Sequence, residues 1–246
     1  MNKIKKNRLA KFRASIVKRF NIFFRGGYTV ETAYDRKFLI DWNHPVDKKI
    51  AFQMFEHDRL THFVATAESV NANTFLDIGA HAGLYSILIN AKLPHAEIHA
   101  FEPDSTNGGQ LHANLFLNRL ANSVTVHPIG LSDREDVLRF AASNEHEHRA
   151  FSKISDQGSI TIVVKPLDHV LTLEGRIIAM KIDVEGHEVE VLQGAKSILS
   201  KNSCYMQIES SAEKFDLVKS FLLDLGYRWL GSDGDHYFTN IPSLKN

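Results

Sequence analysis

Cysteine is all but absent. Cys204 stands alone among 246 residues, which excludes a disulfide framework, a cysteine-rich zinc site and a CxxC redox pair. Long apolar runs are lacking too: no stretch approaches the roughly 18 residues that cross a bilayer. The basic N-terminus has no uninterrupted apolar core of about 7–15 residues, so it does not read as a secretory signal, and a cytoplasmic location is expected. Surplus charge is missing as well. Lys plus Arg and Asp plus Glu each number 29. Without excess cations to neutralise phosphates, the body of the chain is not expected to bind nucleic acid. The composition carries no signal about oligomeric state.

What charge there is lies unevenly. Residues 1–25 hold Lys3, Lys5, Lys6, Arg8, Lys11, Arg13, Lys18, Arg19 and Arg25 and no acid. Leu9, Phe12, Ile16, Val17, Phe20, Phe23 and Phe24 recur at spacings of three and four, the pattern of a basic amphipathic helix. Its apolar face either docks on the protein's own core or makes peripheral contact with an anionic inner membrane face. Residues 26–72 read as a lead-in subdomain, with a Gly26-Gly27 turn, a strand pair through Tyr28–Trp42 and a helix through about Lys49–Ser69.

Residues 73–246 form the main domain. From Thr74, strand-like runs alternate with helical ones: Thr74–Ile78, helix Leu84–Lys92, Glu97–Phe101, helix Asp104–Leu120 and Val124–Ile129. After an insertion come Arg176–Ile182, helix Glu188–Leu199, Tyr205–Glu209 and helix Ala212–Leu225. Alternation of this kind implies a mostly parallel α/β sheet with right-handed crossovers and helices on both faces. A closing antiparallel hairpin reads Tyr227–Leu230 and His236–Thr239. The insertion contains two more strand-like runs, Val137–Ala141 and Ile160–Lys165, separated by the polar segment Ser143–Gly158, which reads as a lid or specificity loop.

Four strand tips carry the chemistry. The first runs Asp77-Ile78-Gly79-Ala80-His81-Ala82-Gly83, a strand entering a glycine turn and then a helix. In open α/β sheets ligands bind beyond the carboxyl ends of strands. The spacing is Gly-x-x-x-Gly, not the Gly-x-Gly-x-x-Gly that cradles a pyrophosphate. Asp77 would repel a pyrophosphate but suits the cationic amino-acid end of S-adenosyl-L-methionine. The next tip, Phe101-Glu102-Pro103, puts an acid where ribose hydroxyls are held in Rossmann-like folds, and an ionised Glu is acceptor-only. The third tip, Ile129-Gly130-Leu131, is placed to flank an adenine ring. The fourth, Lys181-Ile182-Asp183-Val184-Glu185-Gly186-His187-Glu188, puts Lys181, Asp183 and Glu185 on one face if the strand persists.

Together these runs resemble the FkbM family of S-adenosylmethionine-dependent O-methyltransferases. The resemblance covers roughly Thr74–Gly226 and includes Leu167-Asp168 and Gln193-Gly194-Ala195. It implies the class I methyltransferase fold, cofactor contacts at Asp77, Gly79 and Glu102, and reacting-site roles near Asp183 and Glu185. His81 stands where that family usually has Asn. The reaction it implies is methyl transfer to a hydroxyl of a sugar, glycan or small metabolite. The base candidates are Asp183, which is also a candidate cofactor contact, Glu185 and His187, with Glu209 as a fourth and Lys181 keeping an acid ionised. No metal is expected to be required, although Asp183 and Glu209 offer oxygen ligands.

Two rival readings remain at this level. A nicotinamide oxidoreductase would share the sheet and Glu102, but the pyrophosphate glycines are missing. A catalytically silent scaffold on the same fold would bind neither S-adenosylmethionine nor its demethylated product. The run Asn144-Glu145-His146-Glu147-His148-Arg149 reads as a solvated loop and not as a metal site.

Overall fold

The computed structural model describes residues 27–141, 153–154 and 160–244. The expected N-terminal helix and the histidine-containing run 144–149 lie outside these residues. Among the described residues no helix is long and apolar enough to cross a membrane. They fall into two compact units that divide between His57 and Asp58.

The first unit is built on an antiparallel hairpin, β1 (Tyr28–Ala33) and β2 (Arg36–Asp41). It turns at Tyr34-Asp35, both left-handed with φ of 52° and 57°, the backbone that matches the natural strand twist. Trp42 is buried and its indole nitrogen donates to Thr29 Oγ1 at 2.7 Å. Helix α1 (Pro45–Ala51) follows. The single helix expected over Lys49–Ser69 does not form. Gln53 and Glu56 adopt positive φ, which a right-handed helix does not admit, so the chain breaks and restarts as α2 (His57–Ser69), which from Asp58 onward belongs to the second unit.

The second unit is a seven-stranded sheet made from β3 (Thr74–Ile78), β4 (Glu97–Phe101), β5 (Val124–His127), β10 (Ile177–Ile182), β11 (Ser203–Ile208), β12 (Arg228–Ser232) and β13 (His236–Thr239). In space the order is β12-β13-β11-β10-β3-β4-β5. The five strands from β11 to β5 are parallel, while β13 and β12 run antiparallel at the far edge. This is the expected α/β architecture with its closing hairpin. The helices are α3 (Leu84–Lys92), α4 (Ser105–Leu117), α5 (Leu167–Val170), α6 (Glu188–Gly194), α7 (Lys196–Lys201) and α8 (Ala212–Asp224). β3, β10 and β11 are buried nearly throughout, as strands covered on both faces must be. Met180, Ile182, Leu192, Ile198, Met206 and Phe238 belong to one core cluster.

A second, four-stranded sheet has the order β6-β9-β7-β8, from β6 (Gly130–Leu131), β7 (Asp136–Ala141), β8 (Lys153–Ile154) and β9 (Ile160–Lys165). The two strands expected inside the insertion are thus present and pair with each other. The third main strand, however, ends two residues early. β5 stops at His127, and Gly130-Leu131 leave to pair with Val164-Lys165. The expected single helix Glu188–Leu199 is likewise two short helices joined at Ala195.

Candidate active site at the switch point of the sheet

From β3 the chain proceeds outward to β4 and β5, then crosses back to β10 on β3's other side. The carboxyl ends of β3 and β10 therefore flank the topological switch point, where such sheets hold ligands. Ile78 and Ile182 are in register there, so Gly79 and Asp183 leave the sheet side by side. A Cβ at Gly79 would stand 1.8 Å from the Asp183 carbonyl oxygen, and its φ is +86°. Only glycine satisfies both conditions.

The turn after β3 is held from every side. Gly79 and Ala80 donate their amides to the Phe101 carbonyl at 3.0 and 2.9 Å. His81, left-handed at φ 48°, donates its amide to Glu102 Oε2 at 2.8 Å. Asn114, from the middle of α4, donates to the Ala82 carbonyl at 2.9 Å. Gly83 begins α3 at φ 80°, with no room for a Cβ beside Leu111.

Asp77 is buried, and its Oδ2 accepts from both the amide and the hydroxyl of Ser86, at 3.0 and 2.6 Å. Burial pushes its carboxyl up to about 6, against the pull of Ser86 and Lys181. What this carboxylate grips in the structure is the first turn of α3. Glu102 is also buried; its Oε1 accepts from the Asp104 amide at 2.9 Å. Desolvation raises it to about 7. Each of its oxygens is thus engaged once by backbone, and the Asn107 side chain is a further donor to the carboxylate. Pro103 is half-buried close to Gly130. Leu131, assigned by sequence to an adenine wall, is instead 3% exposed inside the core cluster, with Ile129 packed against it. The early end of β5 is the cause.

At the tip of β10, Lys181 is buried. Its ammonium lies 2.9 Å from Asp235, 3.6 Å from Asp183 and 3.9 Å from Glu209. Strand alternation does not carry on to Glu185. The strand ends at Ile182, and Glu185 and Gly186 turn left-handed at φ 53° and 97°. The loop is tied down instead by the Gly186 amide, which donates to Glu188 Oε1 at 2.7 Å, and by Lys214 Nζ donating to the Gly186 carbonyl. Burial raises the Glu185 carboxyl to about 7, with Asp183 and Glu188 adding to the rise. His187 faces a different set of partners: Nε2 lies 2.9 Å from Ser132 Oγ and Nδ1 3.5 Å from Glu190. Burial lowers its pKa below the ordinary imidazole value. The structure thus gathers Lys181, Asp183 and Glu209, and leaves His187 on a separate network.

The sequence matches the methyltransferase FkbM domain over residues 77–229, more than half of the chain. The chain belongs to the FkbM methyltransferase family. The hexuronic acid methyltransferase AglP of Haloferax volcanii is 29% identical over 161 residues, 62% of this chain and 62% of AglP. The methyltransferase sdnD of Sordaria araneosa is 27% identical over 181 residues, 59% of this chain and 70% of sdnD. Among solved structures, the methyltransferase FkbM from Methylobacillus flagellatus shares the fold with a TM-score of 0.50 at 16% identity. That likeness covers 79% of this chain and 54% of the other. The matches therefore span less than two-thirds of AglP and of the M. flagellatus chain.

In this FkbM domain the partner of Lys181 went unrecognised in sequence. Asp235 is 1% exposed and accepts from Lys181 Nζ, from Gln207 Nε2 at 2.6 Å and from Arg59 at 2.6 Å. Burial alone would raise its pKa; Lys181, Gln207 and Arg59 hold it below the ordinary value. One signal was available. Asp77, Lys181, Gln207 and Tyr237 are register partners across β3, β10, β11 and β13, a polar row across the sheet.

Proposed function

We propose that this FkbM domain transfers a methyl group from S-adenosylmethionine to a hydroxyl of a sugar, a glycan or a small metabolite. The observation that carries the reading is Glu102. It is buried at the strand tip beside the switch point, is fixed by two backbone amides and the Asn107 side chain, and presents an acceptor carboxylate where ribose hydroxyls are held in such sheets. Gly79, Ala80, His81 and Gly83 supply a turn whose backbone is held by Phe101 and Glu102. Asp77 acts by holding that turn against α3.

When bound, the sulfonium supplies an already activated methyl group. The protein then has to align the acceptor oxygen, exclude water and take up a proton. Asp183 and Glu185 are the groups proposed to orient or deprotonate the hydroxyl, with Lys181 stabilising the ionised form of Asp183. The similarity to a hexuronic acid methyltransferase favours a sugar acceptor.

The test is direct. Isothermal titration should show micromolar binding of S-adenosylmethionine and S-adenosylhomocysteine, weakened at least tenfold by Glu102→Gln, and no binding of NADH. Tritium transfer from labelled donor to a panel of uronic acid glycosides would then identify the acceptor class. If neither sulfur nucleoside binds the folded protein, the reading is wrong.

A further inference from the structure

On the β4–β5 side of the sheet, two imidazoles meet outside the machinery described above. His99 and His127 lie on adjacent parallel strands, one diagonal step apart in register. His99 Nδ1 is 3.0 Å from His127 Nε2, and His99 Nε2 is 3.1 Å from Glu97 Oε1. The other Glu97 oxygen lies 3.4 Å from an Arg176 nitrogen. The His127 ring stacks on Phe101, with centroids 4.4 Å apart and planes 11° apart.

The proton positions follow from the partners. The ionised Glu97 carboxylate only accepts, so His99 Nε2 carries the hydrogen. His99 Nδ1 is then a lone pair, and His127 Nε2–H donates to it. This is the arrangement of a ligating histidine: one nitrogen donates to a carboxylate, which fixes the ring and raises the basicity of the other.

We infer that His99 and His127 form a chelating pair for a borderline transition-metal ion, Zn²⁺, Ni²⁺ or Cu²⁺. Imidazole nitrogens bind such ions at about 2.0–2.1 Å. Two of them on one ion lie roughly 2.9 Å apart at a right angle and about 3.4 Å apart at the tetrahedral angle. The observed 3.0 Å falls within that range. The ion would replace the shared hydrogen: the proton on His127 Nε2 moves to its own Nδ1, and both rings stay neutral. His127 is half-buried, leaving a side from which water can complete the coordination. Oxygen-seeking Mg²⁺ and Ca²⁺ do not suit this pair.

The inference stands apart from methyl transfer and is tested with the metal alone. Zn²⁺ titrated calorimetrically into the full chain should bind one to one in the micromolar range and raise the melting temperature. His127→Gln and His99→Gln should each weaken binding at least tenfold. The double change His146→Gln/His148→Gln should leave it unaltered. Copper(II) bound by the wild type should show nitrogen hyperfine structure from two imidazoles. His127 is the more exposed of the pair, so its variant reports even if His99→Gln fails to fold. Absence of Zn²⁺ binding, or binding that survives in a folded His127→Gln variant, would reduce the pair to an imidazole–imidazole hydrogen bond only.

Discussion

Replacing Lys181 by Met, singly and together with Arg59→Met, tests how the buried charge at the switch point is balanced. Asp235 lies between both cations, 2.9 Å from Lys181 and 2.6 Å from Arg59. Arg59 is 28% exposed, whereas Lys181 is almost wholly buried. Either single change leaves Asp235 one cation and the Gln207 amide. Breaking a buried pair so that a bare charge remains costs about 3–5 kcal/mol; with one cation kept, each single loss should be smaller. We expect about 2 kcal/mol for Lys181→Met and about 1 kcal/mol for the more exposed Arg59→Met. The double variant strands the charge, so its loss should reach about 5 kcal/mol, exceeding the sum of the singles by the coupling typical of shared networks.

Urea unfolding followed by circular dichroism would measure each corner of the cycle. Adding Asp235→Asn to the double variant should return most of the lost stability, because it removes the charge that was stranded. The pH response supplies a sign. In the wild type Asp235 sits below its ordinary pKa, so its contribution is present above the unfolded pKa and is lost as pH falls through the folded one. In the double variant burial acts unopposed by those cations and the pKa rises, so stability relative to wild type should improve as pH falls. Additive single losses, or no recovery when Asp235→Asn is added, would refute the account of Lys181 and Arg59 as joint counter-ions.

Three other outcomes follow from the same site. Gly79→Ala should abolish S-adenosylmethionine binding and lower the melting point by several degrees, since the new Cβ meets the Asp183 carbonyl at positive φ; calorimetry and thermal melts check it. Glu102→Gln should weaken cofactor binding and remove the free protein's loss of stability as pH rises through about 7. A carboxyl raised from 4.5 to about 7 favours folding below the unfolded pKa and loses that contribution as pH climbs through about 7, an effect on the order of 3 kcal/mol. Stability against pH for wild type and variant would converge as pH rises, and parallel curves would count against it. Asp183→Asn and Glu185→Gln should each cut methyl transfer at least a hundredfold while calorimetric cofactor affinity stays within about twofold of wild type; near-normal turnover in both would remove them from the chemistry.

How much of this could be read from residues alone varied with the range of the interactions. The strands of the main sheet announce themselves locally, through apolar runs that end in Asp77, Glu102 and Asp183, because parallel strands buried on both faces must be apolar nearly throughout. Boundaries that depend on partners were not visible. Val124–Ile129 reads as one strand, but Gly130-Leu131 are claimed by Val164-Lys165 of another sheet, which draws Leu131 into the core. Lys49–Ser69 reads as one helix because nothing in the sequence marks Gln53 and Glu56 as left-handed. Glu185 shows the same failure at the site. Alternation places it beside Asp183, while the turn tied by Glu188 and Lys214 ends the strand first.

Asp235 is the most instructive omission. It stands in a short hairpin, Ser232-Asp233-Gly234-Asp235, whose composition says only that the chain reverses there. Its importance arises from register: β13 returns antiparallel beside β11, placing Tyr237 against Gln207, which in turn lies against Lys181. A buried lysine at a strand tip is costly unless a carboxylate meets it, so the sequence poses the question of a partner without naming one. Asp183 and Glu209 are nearest along the neighbouring strand tips, yet both are more exposed and farther from the ammonium than Asp235. The most deeply buried acid therefore takes the cation's closest contact, and Asp183, 26% exposed, lies farther off at 3.6 Å. A partly exposed carboxylate beside a fixed ammonium is the arrangement proposed for activating a hydroxyl there. The hairpin, distant in sequence from every glycine of the turn, is thereby part of the same centre.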